Sequence, residues 1–413
     1  MDRIKTPPAL DYSRQFPALL EFATGARVDN GFGYLGPDGQ VVPDRPAELW
    51  ITCRMTHVFA LADLLGYPRA RELAEHGVRS LRGAFHDDEF GGWYSAVALT
   101  GNQVVDESKA AYAHAFVILA ATSALAAEIE GAGDLLAEAL DNQDRYWFEP
   151  EVGRVRESWN REFTRTEDYR GINANMHTTE AYLAAADLTG DEQLLRRAVG
   201  ILHFVAQQAE VHRWRIPEHF TADWQVLPEY NEDQPAHPFR PFGVTPGHGF
   251  EWSRLMLQAR QSLVARGEEP PAWMLRGAQE LFRTADADSW QVDGEPGFIY
   301  TTDFDGHPVV RERMHWVLCE AVGANIVLQR VLGENPELAD QLQIWGEYAD
   351  QFLLEAPGRW WHELDPSNHP AERTWPGKPD AYHVAQMLIL PLLPASPAFA
   401  AALKRGNIAP IGD

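Results

Sequence analysis

A chain of 413 residues, 45% hydrophobic and 11% aromatic, carries enough apolar material for a large core. Its formal net charge of -25 argues against nucleic acid and anionic membrane surfaces, both of which need lysine and arginine. Acidity of this size is also a common route to solubility. The first residues lack an apolar leader, and no run approaches the roughly 18 apolar residues of a membrane span. Two cysteines, Cys53 and Cys319, both fall in apolar helical stretches. The expectation is a cytoplasmic protein with buried, reduced thiols.

Two kinds of helix alternate along the chain. An amphipathic helix over about 10–25 comes first, and further amphipathic segments cover about 68–84, 133–147, 191–209, 271–286 and 336–354. Between them lie segments at about 47–65, 107–127, 174–189, 248–265, 312–333 and 381–393. These are apolar on most faces and read as buried inner helices. Inner-to-outer joints are short and turn-rich, at 65–68, 130–134, 188–191 and 332–336. Outer-to-inner joints are long and rich in Trp, Tyr, Gly and His, as in Gly91-Gly92-Trp93-Tyr94 and Arg359-Trp360-Trp361-His362. The pattern predicts one domain over 1–413, an all-α (α/α)6 barrel of six helical hairpins. Its long loops and short β hairpins gather on one rim, where binding cups are usually built. Six histidines mark the repeat: His57, His114, His177, His248, His315 and His383, spaced by 57, 63, 71, 67 and 68 residues.

The starts of the inner helices carry the polar residues. Trp50, Arg54 and His57 share one helix face. An indole beside a guanidinium suits a sugar, one stacking on C–H groups and the other donating to hydroxyls. A packed core with Arg54 satisfied by a carboxylate fits the same residues. Asn173-Ala-Asn175-Met-His177-Thr-Thr-Glu180 and His248-Gly-Phe-Glu251-Trp252 each place a carboxylate one turn after a histidine, where it can fix the imidazole tautomer. Asp380 lies three residues before His383 and can orient it, or simply cap the helix. His57 and His114 read as lining or packing, as does His315, which precedes Trp316 and Glu320.

Other chemistries have little support. No Gly-x-Ser-x-Gly, P-loop or dinucleotide fingerprint occurs, so neither an activated serine nor a nucleotide cofactor is expected. Di-metal sites on facing helices use Glu-x-x-His with bridging carboxylates. Here the order is reversed, and no metal is expected.

Several stretches together resemble the N-acylglucosamine 2-epimerase superfamily, in particular its aldose–ketose isomerase branch. They are Gly31-Phe-Gly-Tyr-Leu-Gly36, Leu49-Trp-Ile-Thr-Cys-Arg54-Met-Thr-His57, Glu167-Asp-Tyr-Arg-Gly-Ile-Asn173-Ala-Asn175-Met-His177, Thr245-Pro-Gly-His248-Gly-Phe-Glu251-Trp252, Val309-Val-Arg311-Glu312-Arg313 and Asp380-Ala-Tyr-His383. The resemblance implies metal-free interconversion of aldoses and ketoses, with His248 and His383 as the acid/base pair. It implies that Arg54, Asn173, His177, Glu251 and Trp316 bind or orient the sugar, with Trp50 and Asp380 beside them. His362 and Pro379 stand where the sulfoquinovose-specific members carry Gln, which favours an unsubstituted hexose.

The expected activity is interconversion of D-mannose and D-fructose through a cis-enediol, extending to lyxose and xylulose. A sulfoquinovose isomerase or a sugar 2-epimerase is the alternative within the family. A glycoside hydrolase or lyase on the same barrel is remote, because hydrolases need paired carboxylates and the inner-helix starts offer histidines. The partner is a small monosaccharide, and the chain is a monomer or a homo-oligomer.

Overall fold

A computed structural model describes residues 6–333 and 335–408. In chain order its helices are α1 (Tyr12–Ala23), α2 (Leu49–Leu64), α3 (Ala70–Arg82), α4 (Ala111–Ala126), α5 (Ala132–Asn142), α6 (Ile172–Thr189), α7 (Glu192–Val211), α8 (Pro246–Ala265), α9 (Ala272–Ser289), α10 (His315–Leu332), α11 (Pro336–Tyr348), α12 (Tyr382–Ile389) and α13 (Phe399–Lys404). The even-numbered helices form an inner ring, each packing on the next, and α12 packs back on α2. They can do so because they are buried on every side: all of α4 except Tyr112 and Leu125 is buried. Helices α3 to α11 with odd numbers lie outside, each against the inner helix before it, and α1 covers α12. The (α/α)6 barrel therefore closes by joining the two ends of the chain. Among the described residues no helix is long and apolar enough to cross a membrane.

The expected segments match these helices with local differences. The outer segments at 133–147 and 336–354 leave the α-form at Asn142 and Tyr348 and finish in single π-turns, Gln143–Trp147 and Ala349–Leu353. Each wider turn ends on a buried side chain, Trp147 or Leu353. Helix α13 was not expected. It packs on α2, α4 and α6 and closes the end of the barrel opposite the long loops. The joint at 332–336 includes residue 334, which lies outside the described residues, as do 1–5 and 409–413.

The open rim is stitched by very short strands rather than by hairpins alone. The strand before α2, Ala47–Glu48, pairs with Ala96–Val97 of the loop before α4. Lys109–Ala110 before α4 pairs with Ser158–Trp159. Tyr169–Gly171 before α6 pairs with His219–Thr221. Val244 before α8 bridges Thr302, and Arg313–Met314 before α10 pairs with Glu363–Leu364. The Lys378 amide donates to the Leu35 carbonyl at 2.9 Å and completes the circle. Each lead-in segment is thus held by the next loop, so the first turns of the inner helices are fixed around one cup.

Candidate active site

The cup contains a cavity of about 650 Å³, counted to its open mouth. All of the sequence-predicted residues line it: Trp50, Arg54, Asn173, His177, His248, Glu251, Trp316, Asp380 and His383. They come from five inner helices and the segment leading into α12. Sequence reading missed Tyr112, Phe239, Tyr300 and Trp375 as wall residues. These are loop or rim aromatics with no periodicity to mark them.

Two imidazoles are built alike. The Nδ1 of His248 lies 3.0 Å from both carboxylate oxygens of Glu218, and the Nδ1 of His383 lies 2.9 Å from Oε1 of Glu320. A carboxylate at Nδ1 fixes the proton there and leaves Nε2 as the nitrogen available to the cavity. These partners correct two expectations. Glu251 does not steer His248; its nearest histidine is His177, at 3.9 Å. The reason is rotational: one turn after His248, Glu251 points inward to the barrel axis, while the imidazole faces the loop that carries Glu218. Asp380 does not hold the His383 ring either. It accepts from Arg54 at 3.0 Å and from the backbone amide of Tyr382 at 2.8 Å, so it caps α12 and pairs the guanidinium at once. Glu218 lies 30 residues before His248 and no local pattern points to it. Glu320, a lone carboxylate in the apolar run of α10, was a legible signal.

Trp316 joins the two histidines. Its ring centroid lies 5.4 Å from that of His248 and 5.7 Å from that of His383. Gly247 makes room for it: a Cβ there would lie 2.5 Å from the indole. The result is a flat apolar plate between two polar bases, which suits the C–H face of a sugar.

A third histidine–carboxylate pair lies deeper. The Nδ1 of His177 is 3.4 Å from Oε2 of Glu180, as the one-turn spacing anticipated. Burial lowers the His177 pKa to about 4, so its ring is neutral near pH 7. Burial pushes the Glu180 carboxyl up, but the hydrogen bond from His177 and the charge of Arg254 outweigh it, and the group stays ionised. Arg54 donates to Asp380 and, at 2.9 Å, to the Tyr112 hydroxyl. It is both the carboxylate-satisfied arginine of a packed core and part of the cavity wall. The Oδ1 of Asn173 is buried and accepts no hydrogen bond from the described residues, leaving an acceptor open toward the cavity.

The other histidines divide by depth. His114 is packed, receiving the Trp93 amide at 3.2 Å and meeting the Ala110 carbonyl at 2.9 Å. His57 meets Ser123 Oγ at 2.7 Å beneath the cavity. His315 lines the cavity wall, stacked at 3.8 Å on His362. His177, Glu180 and Glu251 bring three potential metal-binding atoms within 4.8 Å of one another. That cluster already carries its own cation, since Arg254 lies 3.4 Å from Glu251, and Tyr382 and Gln386 donate to Glu180.

A fold and site of this kind define a class, a helical barrel that brings carboxylate-backed imidazoles to a sugar-sized cup. Residues 31–387 match the family model of N-acylglucosamine 2-epimerase. The chain is 47% identical over 389 residues to a D-mannose isomerase of Thermobifida fusca, covering 93% of this chain and 94% of that one. It is 44% identical to a D-mannose isomerase of Pseudomonas cannabina pv. alisalensis, covering 93% and 92%. A crystal structure of a D-mannose isomerase superposes with a TM-score of 0.84 at 26% identity, covering 92% of this chain and 96% of that one. The chain belongs to the N-acylglucosamine 2-epimerase family and is an enzyme of the isomerase class.

Proposed function

We propose that the protein interconverts D-mannose and D-fructose, and also D-lyxose and D-xylulose, through a cis-enediol. The observation that carries this reading is the pair of carboxylate-backed imidazoles that both neighbour Trp316 within one cavity. The names of the relatives support the choice of sugar.

Moving a carbonyl from C1 to C2 takes a proton from C2 and delivers one to C1, while a proton passes from O2 to O1. In the proposed roles His383, held by Glu320, serves the two carbons. His248, held by Glu218, serves the two oxygens and assists ring opening. Imidazoles suit both tasks, because an unperturbed pKa of about 6.5 lets them give and take protons near neutrality. Trp316 supports the C–H face of the sugar. Arg54, Asn173 and His177 meet its hydroxyls, Arg54 as donor and the other two as acceptors. Trp50 closes the mouth, and Asp380 aims Arg54. The whole chain acts as a single catalytic domain without a metal or organic cofactor.

The test is incubation with D-mannose, D-fructose, D-lyxose, D-glucose and sulfoquinovose in D2O, read by NMR. Ketose formation from mannose, with deuterium entering at the exchanged carbon, is the expected result. Appearance of only the C2 epimer would replace this reading by a 2-epimerase, in which both histidines work on carbon from opposite faces. Exhaustive chelation should leave the rate unchanged, and a rate restored only by added divalent ions would refute the metal-free mechanism.

A further inference from the structure

We infer that Glu251 is held as the neutral carboxylic acid and donates a hydrogen bond to the reacting end of the sugar. Three buried carboxyl groups, Glu180 on α6, Glu251 on α8 and Glu320 on α10, converge on one guanidinium, Arg254. The other cation nearby, Arg54, is already matched by Asp380 at 3.0 Å. Three carboxylates around one buried cation is a costly arrangement in a low dielectric, and the usual relief is for one of them to keep its proton.

The hydrogen bonds say which one. Glu320 receives Arg254 at 3.0 Å and His383 at 2.9 Å. Glu180 receives the hydroxyl of Tyr382, the amide of Gln386 at 2.9 Å and the ring of His177. Both therefore have the donors that stabilise a carboxylate. Glu251 has a single long contact, 3.4 Å from Arg254 Nη2, and is 1% exposed. The other neighbours that face it are His177 of α6, 3.9 Å away, Arg54 of α2, Tyr112 of α4 and Tyr382 and His383 of α12, with His248 on its own helix. Arg54 is committed to Asp380, the tyrosines stay neutral, the neutral ring of His177 turns to Glu180, and His383 and His248 give their Nδ1 to Glu320 and Glu218, so none pairs with Glu251. Burial and the adjacent Glu320 carboxylate push the Glu251 carboxyl well up, with Arg254 opposing.

The consequence is chemical. Glu251 faces the cavity that holds His248 and His383. An ionised carboxylate there would repel the negative charge that develops on O1 and O2 of an enediolate. A carboxylic acid in the same place donates to it and stabilises it. The kinetic part of this inference rests on the isomerase reading; the protonation state does not.

Two measurements decide it. Infrared spectra of the protein labelled with 13C-glutamate, wild type minus E251Q, should show a protonated carboxyl band at neutral pH. E251D should shift that band if E251Q fails to fold. In kinetics, Glu251→Gln keeps a neutral donor and should stay within about 10-fold of wild-type kcat, while Glu251→Ala should lose roughly 10²–10³-fold, the usual effect of one such donor. Wild-type kcat should also fall at alkaline pH as the acid ionises, and that limb should vanish in E251Q. Absence of the protonated band overturns the inference. So does an E251Q that folds and binds sugar yet is as slow as E251A. If none of the sugars turns over, the isomerase reading fails while the infrared result still stands.

Discussion

The upper and lower layers of the barrel interior hold the same residue types to opposite effect. In the upper layer His248 and His383 sit in the first turns of α8 and α12, each with a carboxylate at Nδ1 and the other nitrogen toward the cavity. In the lower layer His57 sits two turns into α2, bonded to Ser123 and 3.5 Å from the Gln386 amide nitrogen, above the plug formed by α13. Burial lowers its pKa to about 4. One imidazole population faces the cavity, where the proposed proton transfers would take place, and the other is locked into the scaffold. For these three, depth along the helix decides which.

The sharpest break of this contrast is His383→Asn. It should reduce kcat by roughly 10²–10⁴-fold, the range for a positioned acid–base group, and stop exchange of the C2 proton with D2O. Sugar binding by calorimetry should survive. Exchange that persists in this variant would remove His383 from the base role. Next comes Glu218→Gln, which keeps shape but permits the wrong imidazole tautomer at His248. A loss of about 10²-fold or more in kcat is expected, in line with tautomer-fixing carboxylates elsewhere. Because Glu218 touches His248 from a loop, melting temperature should barely move, and a large stability loss with intact kcat would mark it as structural.

The smallest effect on catalysis belongs to the lower layer. His57→Gln should leave kcat within about 3-fold but cost roughly 1–3 kcal/mol of stability through the lost partner of buried Ser123. The pH dependence has a definite sign. His57, His114, His177 and His315 have folded pKa values lowered to about 4, 3, 4 and 3 from the ordinary 6.5. Below pH 6.5 the unfolded chain binds protons that the folded chain refuses, so stability falls as the pH drops toward 4. Thermal melts from pH 7 to 4 should show this, and the slope should be shallower in the His57 variant. An equal slope would mean that His57 is protonated in the fold.

Much of the architecture is legible because it is periodic. Apolar residues on all faces of six segments require burial on all sides, and only a ring of inner helices supplies that. Alternating joint lengths place the long loops on one rim, and the motifs around Arg54, His177, His248 and His383 mark which helix starts face it. What escapes is whatever depends on pairs distant in sequence. Glu218 is 30 residues from His248, and α13 is too short and too plain to announce that it plugs the barrel. Local spacing also misled: Glu251 and Asp380 stand one turn from a histidine, yet Asp380 pairs with Arg54 and Glu251 has only a long contact to Arg254, because a side chain's partner is set by the direction in which it leaves the helix.

The amino-acid sequence by itself determined the helices, the order of the ring and the residue types at its mouth, since these follow from local periodicity and turn chemistry. Only the tertiary structure decided which carboxylate backs each imidazole, which acid is left with a single long contact, and which histidines face the cavity. Those depend on dielectric and distance, and both arise only when α12 closes against α2 and the six helix starts meet around one cavity.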